Sequence, residues 1–271
     1  MALTTIGLMA LLGCFTGFMA GLLGIGGGMI ITPFLIMLIP SSLIPHEHIV
    51  HVAIATSLAT IAFTSLSSVR AHHKRGAVLW NVVASVAPGI LVGAVVGAQI
   101  AGWLPTFWLS LIFAAFVGVS AFKMFLNKSP RPDRNLPGTI GKFFMGIAIG
   151  ILSALVGAGG GFISVPWMIW CNVKMQNAVA TSAAFGFPIA LFGTIGYIIS
   201  GWNVSGLPPW PIDLGYICIP ALFSVAITSV LFAPLGAKVA HSIDTKPLKK
   251  IFACLLCFVC LYMIRQAYLA M

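Results

Sequence analysis

Apolar runs interrupted by charges, prolines and glycine clusters divide the chain into ten segments, near 4–24, 29–40, 52–69, 78–101, 106–126, 143–157, 162–171, 178–199, 212–237 and 251–268. A helix of about 20 residues crosses about 30 Å of hydrocarbon, so most of the eight long segments predict spanning helices. Segments 29–40 and 162–171 are too short to cross alone, and each follows a glycine cluster. They predict half-helices folded back on the segment before them. The polar, proline-containing stretch 127–139 separates a first half, 1–126, from a second, 140–271.

Composition decides what surrounds these helices. Of 271 residues, 60% are hydrophobic and 7% charged, against roughly 25% charged in a soluble domain. Four acidic and fourteen basic side chains do not cover a water-facing surface, and the mean hydropathy is +1.09. The expected fold class is an all-α polytopic membrane protein, embedded in lipid, with about eight long transmembrane helices and two short glycine-broken half-helices. In a soluble protein the net charge of +10 would point to nucleic acid. In a membrane chain it is read as topology, and no nucleic-acid partner is expected. Residues 1–5 carry no basic start and no cleavage pattern, so the first helix is expected to be retained.

Short cytoplasmic loops collect Lys and Arg. Arg70, Lys74 and Arg75 place the 70–77 loop inside, and Lys123, Lys128, Arg131, Arg134 and Lys142 do the same for the central linker. Lys174 and the group Lys238, Lys246, Lys249 and Lys250 mark two more inside loops. The loops at 41–51, 102–105 and 200–213 contain no Lys or Arg, and Trp103, Trp108, Trp202 and Trp210 flank them as interfacial anchors do. Only Arg265 breaks the pattern. The first half then begins outside and ends inside, the second the reverse. Two inverted-topology repeats are expected.

Internal similarity divides the chain at the same place. Residues 21–28, Gly-Leu-Leu-Gly-Ile-Gly-Gly-Gly, and Pro33 match residues 154–161, Ala-Leu-Val-Gly-Ala-Gly-Gly-Gly, and Pro166. Ala-Thr-Ser at 55–57 recurs at 180–182, Pro88 aligns with Pro220, and Gly97-Ala98 is echoed by Gly236-Ala237. Inverted repeats with glycine-broken helices in corresponding positions are how secondary transporters build a substrate site.

A glycine turn that opens a half-helix exposes backbone N–H groups at a positive dipole end, which suits an anion. Two such ends, from Gly26, Gly27, Gly28 and from Gly159, Gly160, Gly161, are expected to hold a small anionic substrate with hydroxyl donors from Thr56, Ser57, Thr181 and Ser182. The alternatives are close packing by the glycines and back-bonding of the hydroxyls to carbonyls one turn earlier. For Gly13, Gly17 and Gly21, and for Gly89, Gly93 and Gly97, packing is the favoured reading. Lys238 either attracts anions at the inner mouth or snorkels to the interface, and Gln99 and His241 lie late in matched helices.

Other chemistry is thinner. His46, Glu47, His48 and His51 read as a wet outer loop rather than a metal site, because Val50 stands where the H-E-x-x-H pattern needs histidine. His72 and His73 read as part of the inner headgroup zone. Cys254, Cys257 and Cys260 read as a packing stripe within an apolar helix. Glu47, Asp133, Asp213 and Asp244 all fall in loops, so no carboxylate is expected at depth to couple a cation. No enzyme constellation repeats in the halves, and neither a metal nor a cofactor is expected.

At the paired glycine motifs, Gly24 to Pro33 and Gly157 to Pro166, with Ala-Thr-Ser at 55–57 and 180–182 and Gly97-Ala98 echoed by Gly236-Ala237, the chain resembles the sulfite exporter TauE/SafE family over nearly its whole length. The resemblance implies a multi-pass transporter of the bacterial inner membrane for sulfite, sulfoacetate or other organosulfonates, usually exported. Val165-Pro166 stands where the first half has Thr32-Pro33, so the two sites are not chemically equal.

Overall fold

The computed structural model describes residues 3–23, 27–40, 43–126, 135–208, 212–240 and 246–270. Its helices are α1 (Leu3–Leu23), α2 (Gly28–Leu38), α3 (Ile49–His73), α4 (Trp80–Trp103), α5 (Thr106–Leu126), α6 (Thr139–Val156), α7 (Gly161–Trp170), α8 (Met175–Gly201), α9 (Ile219–Ala240) and α10 (Lys246–Leu269). Two-residue strands β1 (Asp213–Leu214) and β2 (Ile217–Cys218) pair antiparallel ahead of α9. Among the described residues, eight helices are long and apolar enough to cross a membrane. The other two, α2 and α7, have 11 and 10 residues and reach about 16 and 15 Å. This is the expected all-α polytopic class.

The helices pair by a simple exchange. α1 packs along α9 and α6 along α4, while α3 meets α8 and α5 meets α10. α3 lies on α9 as α8 lies on α4, and α2 leans on α3 as α7 leans on α8. Swapping the equivalent helices of the two halves leaves these neighbours unchanged. Large apolar side chains such as Phe63, Phe122, Phe144, Ile199, Leu231 and Leu261 project from the outside of the bundle, where lipid tails would meet them.

Small residues set the two long helix contacts. A Cβ on Gly17 or Gly21 of α1 would collide with the carbonyl of Ser229 or Ala233 in α9, and one on Gly89 or Gly93 of α4 with that of Phe143 or Ile147 in α6. Without a hydrophobic force between helices in lipid, such backbone approach is the main source of association. These stripes are packing surfaces.

The same contacts fix the internal register. Gly13 meets Val225 as Gly146 meets Val86, Gly17 meets Ser229 as Gly150 meets Ile90, and Gly236 meets Phe18 as Gly97 meets Ile151. Each pair is carried onto the other by adding 133 in α1 and 139 in α4. Gly97 and Gly236 therefore correspond, whereas Pro88 corresponds to Ile227 rather than to Pro220. The Thr56–Thr181 offset is 125, so the second half has 14 more residues (139 minus 125) between that motif and α9. Part of the extra length extends α8, and most of it lies in the connection that contains β1 and β2.

Several loop expectations need correction. Residues 213–218 form the hairpin rather than the start of a helix. His51 is buried inside α3 because its Nε2 lies 3.0 Å from the carbonyls of both Ala101 and Leu104; Glu47 remains exposed. His72 is buried with Nε2 3.2 Å from the Gly21 carbonyl, whereas the exposed His73 accepts a bond from Trp80 Nε1. Asp213 is only 4% exposed, since the hairpin dips into the helix bundle. Cys254 and Cys257 face outward, and the Cys260 thiol donates to the Ala114 carbonyl.

Gly17→Ala and Gly7→Ala separate packing from helix propensity. Propensity favours both changes by about 1 kcal/mol, but a Cβ on Gly7 meets nothing within 4 Å. Thermal unfolding in detergent should show Gly7→Ala neutral or stabilising and Gly17→Ala destabilising by about 2 kcal/mol.

Candidate functional site

Each half-helix starts from a glycine that only glycine accommodates easily. Gly27 and Gly160 cap α2 and α7 with φ of 71° and 76°, the left-handed region where a Cβ is strained. The Gly27 carbonyl accepts the N–H groups of Ile30 and Ile31, and the Gly160 carbonyl those of Ile163 and Ser164. The N–H groups of Gly28, Met29, Gly161 and Phe162 stand ahead of the first intrahelical bond, at the positive ends of the two dipoles.

The two turns touch. A Cβ on Gly28 would collide with the Gly157 carbonyl, so the start of α2 lies against the turn that precedes α7. The Ser57 hydroxyl bridges them, donating to the Gly157 carbonyl at 3.1 Å with the Gly28 carbonyl 3.4 Å away. In the other half, Ser164 Oγ lies 2.8 Å from Ser182 Oγ and 3.0 Å from the Gly160 carbonyl. Gly159 and Gly161 are buried, the Gly159 carbonyl facing Gly186 of α8. Gly26 lies outside the described residues.

The two threonines of the repeated motif form a matched pair of clamps. Thr56 Oγ1 accepts the Cys218 N–H at 3.0 Å, and Thr181 Oγ1 accepts the Leu79 N–H at 3.0 Å. Thr56 corresponds to Thr181 and Leu79 to Cys218, so one bond is made twice. Each clamp satisfies a backbone donor just before α4 or α9, at a depth where an unpaired N–H is costly. Their oxygens are committed as acceptors, which leaves only the hydroxyl hydrogen to donate. Thr60 and Thr64 do bond back one turn, to the carbonyls of Thr56 and Thr60.

Two hydroxyls not among the expected site residues stand out. Thr32 Oγ1 and Ser153 Oγ are fully enclosed and have no hydrogen-bond partner. Thr32 Oγ1 lies 2.9 Å from the Cβ position of Gly157, and Ser153 Oγ 3.2 Å from that of Gly160, which puts both hydroxyls beside the turn that precedes α7. Their signal in the sequence is asymmetry between the repeats: Thr32 aligns with Val165 and Ser153 with Ala20. A buried polar group without a partner calls for an explanation; Ser68, Ser110 and Thr194 share that state elsewhere, and Thr32 and Ser153 differ from them in lying against the glycine turn.

The surroundings carry little formal charge. None of the Lys or Arg residues whose side chains the structure describes is buried, and the titratable groups that are buried include His51, His72 and Asp213. Arg75 donates to the Ala237 carbonyl at 2.6 Å near the end of α9, and Lys238 is exposed there. Gln99 spends its amide on the Gly196 carbonyl, tying α4 to α8, and His241 lies outside the described residues. Among the described residues no His, Cys, Asp or Glu group is arranged to hold a metal ion.

Residues 9–263 match the family model described as sulfite exporter TauE/SafE. The chain belongs to that family. It is 34% identical over 261 residues to a probable membrane transporter protein of Haemophilus influenzae, covering 96% of this chain and 98% of that one. A probable membrane transporter protein of Methanocaldococcus jannaschii is 27% identical over 95% of this chain and 94% of its own length. One from Bacillus subtilis is 30% identical over 69% and 76%. No solved structure matches. As a TauE/SafE protein with eight candidate spans, the chain is a multi-pass membrane transporter.

Removing a clamp strands a buried N–H at the cost of about 1–3 kcal/mol. Thr56→Val and Thr181→Val should each lower stability by that amount in thermal unfolding, while Thr56→Ser and Thr181→Ser retain the acceptor and most of the stability.

Proposed function

We propose that this transporter is a permease that exports sulfite or an organosulfonate such as sulfoacetate across the bacterial inner membrane, with the anion held between the starts of α2 and α7. The observation that carries the reading is the contact of the two glycine turns, which brings the starts of α2 and α7 and the unpartnered hydroxyls of Thr32 and Ser153 to one place, while Ser57 and Ser164 donate within it and hold its shape. An oxyanion accepts hydrogen bonds from every direction, and N–H and O–H groups are what the place offers. Neutral donors also permit release, which transport requires as much as binding.

The two halves act as inverted repeats in this reading, 1–126 and 140–271 about the 127–139 linker. The exchange of helix neighbours and the doubled threonine clamp support it, as does the concentration of Lys and Arg in alternate loops. With those loops inside, an anion leaving a negative-inside cell gains about 2.3 kcal/mol per charge for each 100 mV. Export then needs no coupling ion. Sulfur is drawn from the family, whose model carries sulfite in its description.

The test is efflux of sulfite and sulfoacetate from proteoliposomes holding the purified protein, with Thr32→Val beside the wild type. The substitution removes an unpartnered hydroxyl and keeps the shape, so stability should stay within about 1 kcal/mol. Efflux should fall about tenfold, the equivalent of one good hydrogen bond. Unchanged efflux would remove Thr32 from the site, and no flux of either anion by the wild type would overturn the proposed substrates.

A further inference from the structure

The hairpin 213–218 belongs to the extra length of the second half, and it is packed like a plug. Tyr216, at its turn, stacks on His51 with ring centroids 5.2 Å apart and meets Tyr197 of α8 edge-on at 6.3 Å. Gly215 and Tyr216 lie against the backbone of Ile198 and Gly201 at the end of α8. The Cys218 N–H is held by Thr56, and the Ile219 N–H returns to the Ile212 carbonyl. The hairpin therefore reaches from the basic-free end of the bundle down to the repeated Ala-Thr-Ser motif.

Inside this plug sits a carboxyl group. Asp213 pairs in register with Cys218, is 4% exposed, and has no hydrogen-bond partner of good geometry for either oxygen. The Cys218 thiol is the nearby polar group that acts on it. The other titratable groups packed around the hairpin are Tyr216 in its turn, His51 and His48 at the start of α3, and Tyr197 on α8. α9 carries no charged side chain before Lys238, near its far end. Among the described residues no Lys or Arg acts as a partner that would balance an ionised Asp213. Burial raises its pKa from 3.8 to about 6, with the thiol pulling the other way.

We propose that Asp213 is a proton-binding site: the hairpin docks on Thr56 with the carboxyl protonated, and loss of the proton favours its withdrawal and the opening of that mouth of the transporter. An unpaired buried carboxylate is costly, whereas the neutral acid is tolerated. The docked form holds the proton more tightly than the withdrawn one, so docking is strongest at low pH and weakens as pH rises through the window between 3.8 and about 6. Above that window the weakening levels off. A proton released as the mouth opens and regained as it closes would link anion movement to external pH. That link rests on the transport reading; the docking itself does not.

Hydrogen–deuterium exchange of the full-length protein without any anion tests the site. After correction for the intrinsic pH dependence of amide exchange, linkage between 3.8 and about 6 predicts that protection of the 212–219 segment falls about tenfold from pH 5 to pH 8. Asp213→Asn should be flat over the same range, and Asp213→Ser serves if that variant does not fold. His51→Asn should keep the fall. Flat protection in the wild type, or the same fall in the Asp213 variants, would overturn the proposal. Because no substrate is present, pH-dependent protection without anion flux would count against the transport reading alone.

Discussion

Buried inside an apolar bundle, a broken helix has to satisfy its backbone from within the protein, and the structure depends on how each freed N–H and carbonyl finds a partner. Two helices break inside the apolar region, and each break releases polar groups that lipid would penalise by several kcal/mol. The repair is local and doubled. Ser57 reaches from the first half to the carbonyl of Gly157 in the second, and Thr56 and Thr181 take up the donors that precede α9 and α4. The unpartnered hydroxyls of Thr32 and Ser153 collect beside the starts of α2 and α7. Substrate binding, on this account, completes a hydrogen-bond inventory that the fold leaves open.

That inventory is accessible only because the frame around it is tight. The α1–α9 and α4–α6 contacts bring backbones together through glycine and alanine, and they hold the two broken hairpins against α3 and α8. The frame obeys an exchange of halves to the level of single contacts, yet the chemistry inside does not. Thr32 faces Val165 across that exchange, Ser153 faces Ala20, and the hairpin with Asp213 has no counterpart. The scaffold is shared between the halves, and the groups it encloses are not.

Much of the scaffold was legible in the sequence, because hydrocarbon imposes segment length and charge placement directly. The half-helices, the paired glycine motifs and the glycine stripes all follow from rules that act on neighbouring residues. What was not legible arises from contacts between distant segments. Nothing near Asp213 marks it as buried; it is enclosed because Tyr216, three residues on, packs between His51 and Tyr197. His51 looked like part of a wet loop because the carbonyls that hold it, Ala101 and Leu104, are some 50 residues away. Nor does sequence reveal that the oxygens of Thr56 and Thr181 accept N–H groups from across the bundle.

The central claim is that an anion is held by backbone amides and hydroxyls without a basic side chain. Isothermal titration of the purified protein with sulfite tests it most directly, with Arg75→Gln and Lys238→Gln beside the wild type. The account predicts saturable binding whose affinity changes less than about threefold in either variant, since both cations sit exposed near the end of α9. Binding that disappears when either charge is removed would contradict it.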